Sequence, residues 1–176
     1  EYEFFNVTLN EQQNGDFAQT IVRQFFYDAF AAMYYDALLK SSFAPLAAVA
    51  EKSLKEVKYH LRHSREWLIR LGDGTPESRE QAEKALAFLW PFTGELFEPQ
   101  LEDTLLQKHN IAPPTKTLVE PWQKLVREVL HEATLELPKD QQMAVAQGRI
   151  GRHSEDLGHL LAEMQIVARS HPGARW

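Results

Sequence analysis

The sequence predicts an all-α fold, an antiparallel bundle of helices, and three observations carry this. Apolar residues recur at three- and four-residue spacing over about six stretches, the period of a helix that turns about 100° per residue. No stretch alternates apolar and polar residues in the manner of a strand. The breaks between stretches are short and rich in Pro, Gly, Ser and Asn, as in loops that join antiparallel neighbours. With 176 residues the chain is long enough for one domain, 1–176, with a substantial core.

Residues 1–15 read as an irregular lead-in, with Asn6, Asn10, Asn14 and Gly15 as turn formers. Asp16 is placed to cap a helix from Phe17 to about Lys40. Phe17, Ile21, Phe25, Ala32, Tyr35 and Leu39 share one face of it, and Asp28 falls in the middle of that face. A buried carboxylate without a partner is costly. Asp28 therefore calls for a hydrogen bond or salt bridge from a neighbouring helix, such as from an Arg or Lys, or for a present or former metal ion.

Pro45 suits the first turn of a second helix, about Ala44 to Leu71, with Leu46, Val49, Ala50, Leu54, Val57, Leu61, Leu68 and Leu71 inward. Gly72-Asp73-Gly74 ends it, and Thr75-Pro76 opens a third helix through Ala82, Ala85, Leu86, Leu89 and Trp90, stopping near Pro91. A shorter helix spans about Gly94 to Lys108, and Ile111-Ala112-Pro113-Pro114 breaks the chain. Thr117-x-x-Glu120 has the form of a capping box for a helix reaching about Glu136. Residues 139–152 read as a polar linker. A last helix runs from about His153 to Ser170 with Leu157, Leu160, Leu161, Met164, Val167 and Ala168 inward. His153 joins that face, while Asp156 and His159 read as solvated. Gly158 suggests a close helix–helix contact.

Composition narrows the function. Net charge is −6 with mixed signs and no long basic run, which argues against a nucleic-acid or anionic-membrane surface. With no cysteine, disulfides, thiolate metal sites, Fe–S clusters and cysteine nucleophiles are excluded. No stretch approaches the roughly 20 apolar residues of a membrane span, and no signal peptide is visible. A cytoplasmic address fits. Phosphate loops, dinucleotide glycine patterns, nucleophile elbows and His-Glu-x-x-His are missing. The chain opens on Glu1-Tyr2-Glu3-Phe4-Phe5 rather than Met. That reads as a processed or trimmed terminus, or as a domain whose earlier helices lie outside this sequence.

The chemical candidates are polar residues on or beside apolar faces: Asp28, Glu56, His60 and His153. Glu56-x-x-Tyr59-His60 comes close to Glu-x-x-His, the ligand pair of ferritin-like di-iron bundles, but Tyr59 stands at the histidine position. Such a site takes one carboxylate from each of two helices and Glu-x-x-His from two more. Asp28 and Glu56 could supply only a degraded half of that set. Glu56 with His60 also makes an ordinary i,i+4 pair. Asp28, Glu56, Tyr59 and His60 thus read as the remnant of a metal site, with no metal expected.

Several stretches resemble one family. They are Gln13-Asn14-Gly15-Asp16-Phe17-Ala18-x-Thr20-Ile21-x-Arg23-Gln24, Glu56-x-x-Tyr59-His60-Leu61-Arg62-x-Ser64 and Trp67-Leu68-x-Arg70-Leu71-Gly72-x-Gly74-Thr75. His153-Ser154-Glu155-x-Leu157-Gly158-x-Leu160-Leu161-Ala162-Glu163-Met164-Gln165 and the closing Pro172-Gly173-x-x-Trp176 belong with them. In order along the chain, these resemble the C subunits of phenylacetyl-CoA 1,2-epoxidase complexes, phenylacetic acid degradation proteins. The resemblance implies a partial ferritin-like bundle, with about the N-terminal third of the usual subunit outside this sequence. It implies a complex that adds one oxygen atom across the ring of phenylacetyl-CoA. A related subunit holds the di-iron centre, a reductase delivers electrons from NADPH, and the C subunit serves as a structural partner with a degenerate site.

Three readings follow. The first is a non-catalytic scaffold subunit in a hetero-oligomer with a di-iron paralogue, for which Phe26, Phe30, Tyr34 and Trp176 are candidate surface aromatics. The second is a di-metal ferritin-like oxygenase in its own right, using Asp28, Glu56 and His60. The third is a stand-alone helical interaction module.

Overall fold

A computed structural model describes residues 3–99, 101–138, 143–145 and 147–175. Seven α-helices and three short 3-10 segments make up the fold among the described residues, and no strand is present there. The helices are α1 (Thr8–Glu11), α2 (Phe17–Leu38), α3 (Ala44–Gly72), α4 (Pro76–Leu89), α5 (Leu101–Lys108), α6 (Val119–Glu132) and α7 (Glu155–Ser170). This is the all-α bundle that the periodicity predicts and is consistent with the ferritin-like fold that the resemblance implies.

The central element is α2, which touches α1, α3, α4 and α6. It starts where Asp16 accepts a hydrogen bond from the Gln19 amide at 2.8 Å, satisfying one of the free N–H groups of the first turn. Because helices pack on several of its sides, Val22, Phe26 and Ala29 are as fully buried as Ile21 and Phe25. Phe26 is therefore a core residue rather than a surface aromatic. Its ring lies 5.8 Å from those of Trp90 and Trp122, and the Trp122 indole N–H donates to its backbone carbonyl at 3.1 Å. Phe30 and Tyr34 stack on each other at 5.5 Å and are half-buried against this core. Phe17 and Leu39, expected inward, lie at the ends of α2 and are exposed. Trp176 is outside the described residues.

Helix α3 begins with Pro45 in its first turn and buries Ala50, Leu54, Ser64 and Leu68, while Val49 is 57% exposed. Its end is set by close packing. A Cβ on Gly72 would lie 2.2 Å from the Ala133 carbonyl oxygen and 2.9 Å from the Leu135 side chain. Thr75 and Ser78 then form a reciprocal capping box that starts α4.

The expected helix Gly94–Lys108 is two elements. A 3-10 segment, Trp90–Phe97, continues from α4, and α5 follows. The segment puts Glu95 and Leu96 in the interior. Helix α5 stops in a Schellman turn, with Asn110 left-handed and the Ile111 N–H returning to the Leu106 carbonyl. The capping box expected at Thr117 and Glu120 does not form. The prolines before it steer the chain into a 3-10 turn, Thr115–Leu118, in which the Thr117 hydroxyl donates to the Pro114 carbonyl. Helix α6 ends at Glu132 rather than near Glu136, because Thr134 takes a left-handed φ of 57° and closes a second Schellman turn. The Arg79 guanidinium donates to both the carbonyl and the hydroxyl of Thr134, which holds that conformation.

Residues 3–15 are more ordered than a lead-in. Leu9 is fully buried and α1 is anchored by the Thr8 N–H on the Glu95 carboxylate. At the other end the 3-10 segment Gly148–Ile150 interrupts the predicted linker, and α7 starts at Glu155 rather than His153. The inward stripe expected of α7 is mostly exposed. Leu157 is buried, Leu160 and Leu161 are half-buried, and Met164 is 72% exposed. Nothing lies within 4 Å of where a Gly158 Cβ would sit, so Gly158 marks no close helix contact.

Candidate functional site

Asp28 sits at the α2–α3 contact and is 3% exposed. Both carboxylate oxygens are taken. The Ser64 hydroxyl on α3 donates to Oδ2 at 2.8 Å, and the Gln24 amide, one turn back on α2, donates to Oδ1 at 2.6 Å. The partner from the neighbouring helix is therefore a neutral serine, not an Arg or Lys. Burial raises the carboxyl's pKa. The bonds from Ser64 and Gln24 and the fields of His60 and His63 pull the other way, and burial wins.

The other remnant candidates are not gathered around this carboxylate. Glu56, Tyr59, His60 and His63 are exposed on α3. Tyr59 is 55% exposed, lies edge-on to the His60 ring and carries the Arg62 guanidinium 5.3 Å above its own ring. The donor set does not fit a carboxylate-bridged di-metal centre. It has one buried carboxylate already bonded to neutral donors, while Glu56, Tyr59, His60 and His63 are exposed. Among the described residues no group of three or more His, Cys, Asp or Glu is placed to hold a metal ion.

The other sequence candidate, His153, belongs to a polar cluster that residue patterns did not reveal. Glu11 on α1 is 2% exposed and binds His153 Nδ1 at 2.6 Å, the Ser154 N–H at 2.8 Å and the Ser154 hydroxyl at 2.9 Å. Glu95, also buried, accepts from the Thr8 and Arg149 amides. Two buried glutamates thus tie α1, the 3-10 segments and the start of α7 together. Asp156 accepts from Gln13 at 3.1 Å, and His159 is exposed.

An open apolar cavity of about 1070 Å³ flanks α2 on the side of Tyr27, Phe30 and Tyr34. Residues 5–7, the start of α3, α5 and the segment around Arg149 complete its wall. Its polar edge is the Arg149–Asp103 pair at 3.5 Å. Ser64, Gln24, Glu11 and Glu95 are the site residues that sequence reading missed. Only Ser64 left a signal, as a small polar residue between Leu61 and Leu68 on the inward side of α3.

An all-α bundle with one buried carboxylate, hydrogen-bonded by Ser64 and Gln24 at the α2–α3 contact, defines the class, a ferritin-like chain. The chain belongs to the phenylacetic acid catabolic protein family, whose model matches residues 1–176. It is 43% identical over 176 residues to the C subunit of the 1,2-phenylacetyl-CoA epoxidase of Escherichia coli (strain K12), covering all of this chain and 71% of that protein. No helix among the described residues is long and apolar enough to cross a membrane.

Proposed function

We propose that this chain is the non-catalytic structural subunit of a multicomponent phenylacetyl-CoA epoxidase in aerobic phenylacetate catabolism. The observation that carries the reading is Asp28, whose two oxygens are occupied by Ser64 and Gln24 while Glu56, Tyr59 and His60 are exposed. The E. coli relative is named as one subunit of such an epoxidase, which implies other subunits. In this reading the di-iron centre belongs to a catalytic paralogue, NADPH serves the reductase of the complex, and the assembly is cytoplasmic. The chain acts as one domain, a reading supported by a core cluster that α2, α4 and α6 share.

The contact with the paralogue is read as apolar. The stripe that begins at buried Leu157 runs on through Leu160 and Leu161 to exposed Met164 and Val167. Apolar side chains continued along one helix face mark an interaction surface. Reconstitution tests the reading. Phenylacetyl-CoA-dependent NADPH oxidation is expected only when this chain and the di-iron subunit are both present with the reductase. The Asp28→Asn variant is expected to support the same turnover as the wild type. Loss of turnover in Asp28→Asn, with the complex still assembled, would place chemistry in this chain instead.

A further inference from the structure

His153 stands in the loop before α7 with a hydrogen-bond acceptor at each ring nitrogen. Nδ1 lies 2.6 Å from Glu11 Oε1, and Nε2 lies 2.7 Å from the Phe4 carbonyl oxygen. A carbonyl oxygen can only accept. The Glu11 carboxylate likewise stands as an acceptor here, its other oxygen taking the N–H and O–H of Ser154. A neutral imidazole carries one N–H and can satisfy one of these acceptors. An imidazolium satisfies both.

We propose that His153 is a protonation latch: as the imidazolium it bridges Glu11 to the backbone of residues 3–7, and on losing a proton it releases that segment. The direction of release follows from bond strength. The remaining N–H stays on the carboxylate, since a charge-assisted bond is the stronger. The Nε2 lone pair is then left pointing at the Phe4 carbonyl oxygen, which is repulsive.

Two carboxylates, Glu11 and Glu95, act on the ring, and two more follow it closely in the chain. Glu11 is on α1, Glu95 is on the 3-10 segment Trp90–Phe97, and Glu155 and Asp156 are in the first turn of α7. Arg152 precedes it in the chain, bonded to Gln147. Arg149 is engaged with Asp103 and the Glu98 carbonyl. Burial lowers the ring's pKa, but the bonds to Glu11 and Phe4 and the charges of Glu11 and Glu95 together outweigh it, and the net shift is upward.

The segment so held has a place in the fold. Phe5, Asn6 and Val7 form part of the wall of the apolar cavity beside α2. Among the described residues the segment is also held by an Asn6 N–H to Gly148 carbonyl contact of 3.3 Å and by Val7, which packs against the core. Gly148 lets the backbones approach, since a Cβ there would lie 2.3 Å from the Asn6 oxygen. Deprotonation of one histidine therefore loosens one wall of the cavity while α1 remains fixed through Thr8 and Glu95.

Nitrogen NMR of histidine-labelled chain across neutral to alkaline pH tests the latch. At neutral pH both nitrogens of His153 are expected to be protonated. As His153 titrates, protection of the Asn6 amide against hydrogen exchange, corrected for the intrinsic pH dependence, is expected to fall roughly tenfold. In His153→Gln the same protection is expected to be low and independent of pH. A single protonated nitrogen at neutral pH, or Asn6 protection unchanged through the titration, would overturn the proposal. Both wild-type readouts stand even if the variant fails to fold.

Discussion

The Ser64 hydroxyl on α3 donates to Asp28 Oδ2 on α2 at 2.8 Å, so the buried carboxylate's partner across the helix contact is a neutral side chain. Ser64 Oγ also lies 3.0 Å from the His60 carbonyl oxygen. Replacing Ser64 with Ala leaves a buried carboxylate oxygen without that donor, a loss of about 1–3 kcal/mol. Urea denaturation of Ser64→Ala against wild type checks this, and an unchanged midpoint would mean the bond carries no weight.

Asp28 also sets a pH dependence. Burial raises its folded pKa, so the folded chain binds this proton more tightly than the unfolded chain does. Stability contributed at this site is greatest below the unfolded carboxyl's value of about 3.9 and declines as pH rises through the raised folded value. In Asp28→Asn this decline disappears. The Asn amide can donate to Ser64 Oγ, whose own O–H turns to the His60 carbonyl, so the variant is expected to be at least as stable as wild type at pH 7. Thermal unfolding of both proteins across mildly acidic to neutral pH reads the difference in slope.

The α3–α6 junction tolerates no side chain at Gly72. An added Cβ meets the Ala133 carbonyl, which is backbone and cannot rotate away. Gly72→Ala is expected to destabilise by at least about 2 kcal/mol. Gly158→Ala on α7, where the space is open, is expected to stabilise by up to about 1 kcal/mol. The pair of denaturation midpoints, moving in opposite directions, tests both statements.

Restoring the sequence motif does not restore a metal site. Tyr59→His recreates Glu-x-x-His, yet Glu56 and position 59 both face solvent and Asp28 keeps its two donors. Iron in purified Tyr59→His is expected to stay at the background of the wild type. Stoichiometric iron uptake would show that α3 can rotate its ligands inward.

On α7, Met164→Ser with Val167→Ser removes exposed apolar surface. Stability of the isolated chain is expected to shift by less than about 0.5 kcal/mol. Affinity for the proposed di-iron partner, measured by titration calorimetry, is expected to fall about tenfold or more.

Sequence periodicity located α2, α3 and α4 closely because their ends are set by local chemistry: Asp16 as a cap, Pro45 in a first turn, Thr75-Pro76 at a start. The α7 stripe was visible, but spacing alone says nothing of what covers a stripe. The Thr117 capping box failed because Pro113-Pro114 lead into a 3-10 turn, Thr115–Leu118, in which the Thr117 hydroxyl is already bonded to the Pro114 carbonyl. The Glu11–His153 pair spans 142 positions, and no local pattern signals such a contact. Asp28 stood out because a carboxylate on an apolar face is rare, whereas its partner Ser64 is an ordinary residue until the two helices are packed.

The central claim is that chemistry resides in a partner subunit, and iron per chain tests it most directly. Elemental analysis of this subunit, purified alone from iron-replete cells, is expected to find essentially none. About two irons per chain, the content of a di-iron bundle, would contradict the account and make Asp28 and Glu56 the first residues to mutate.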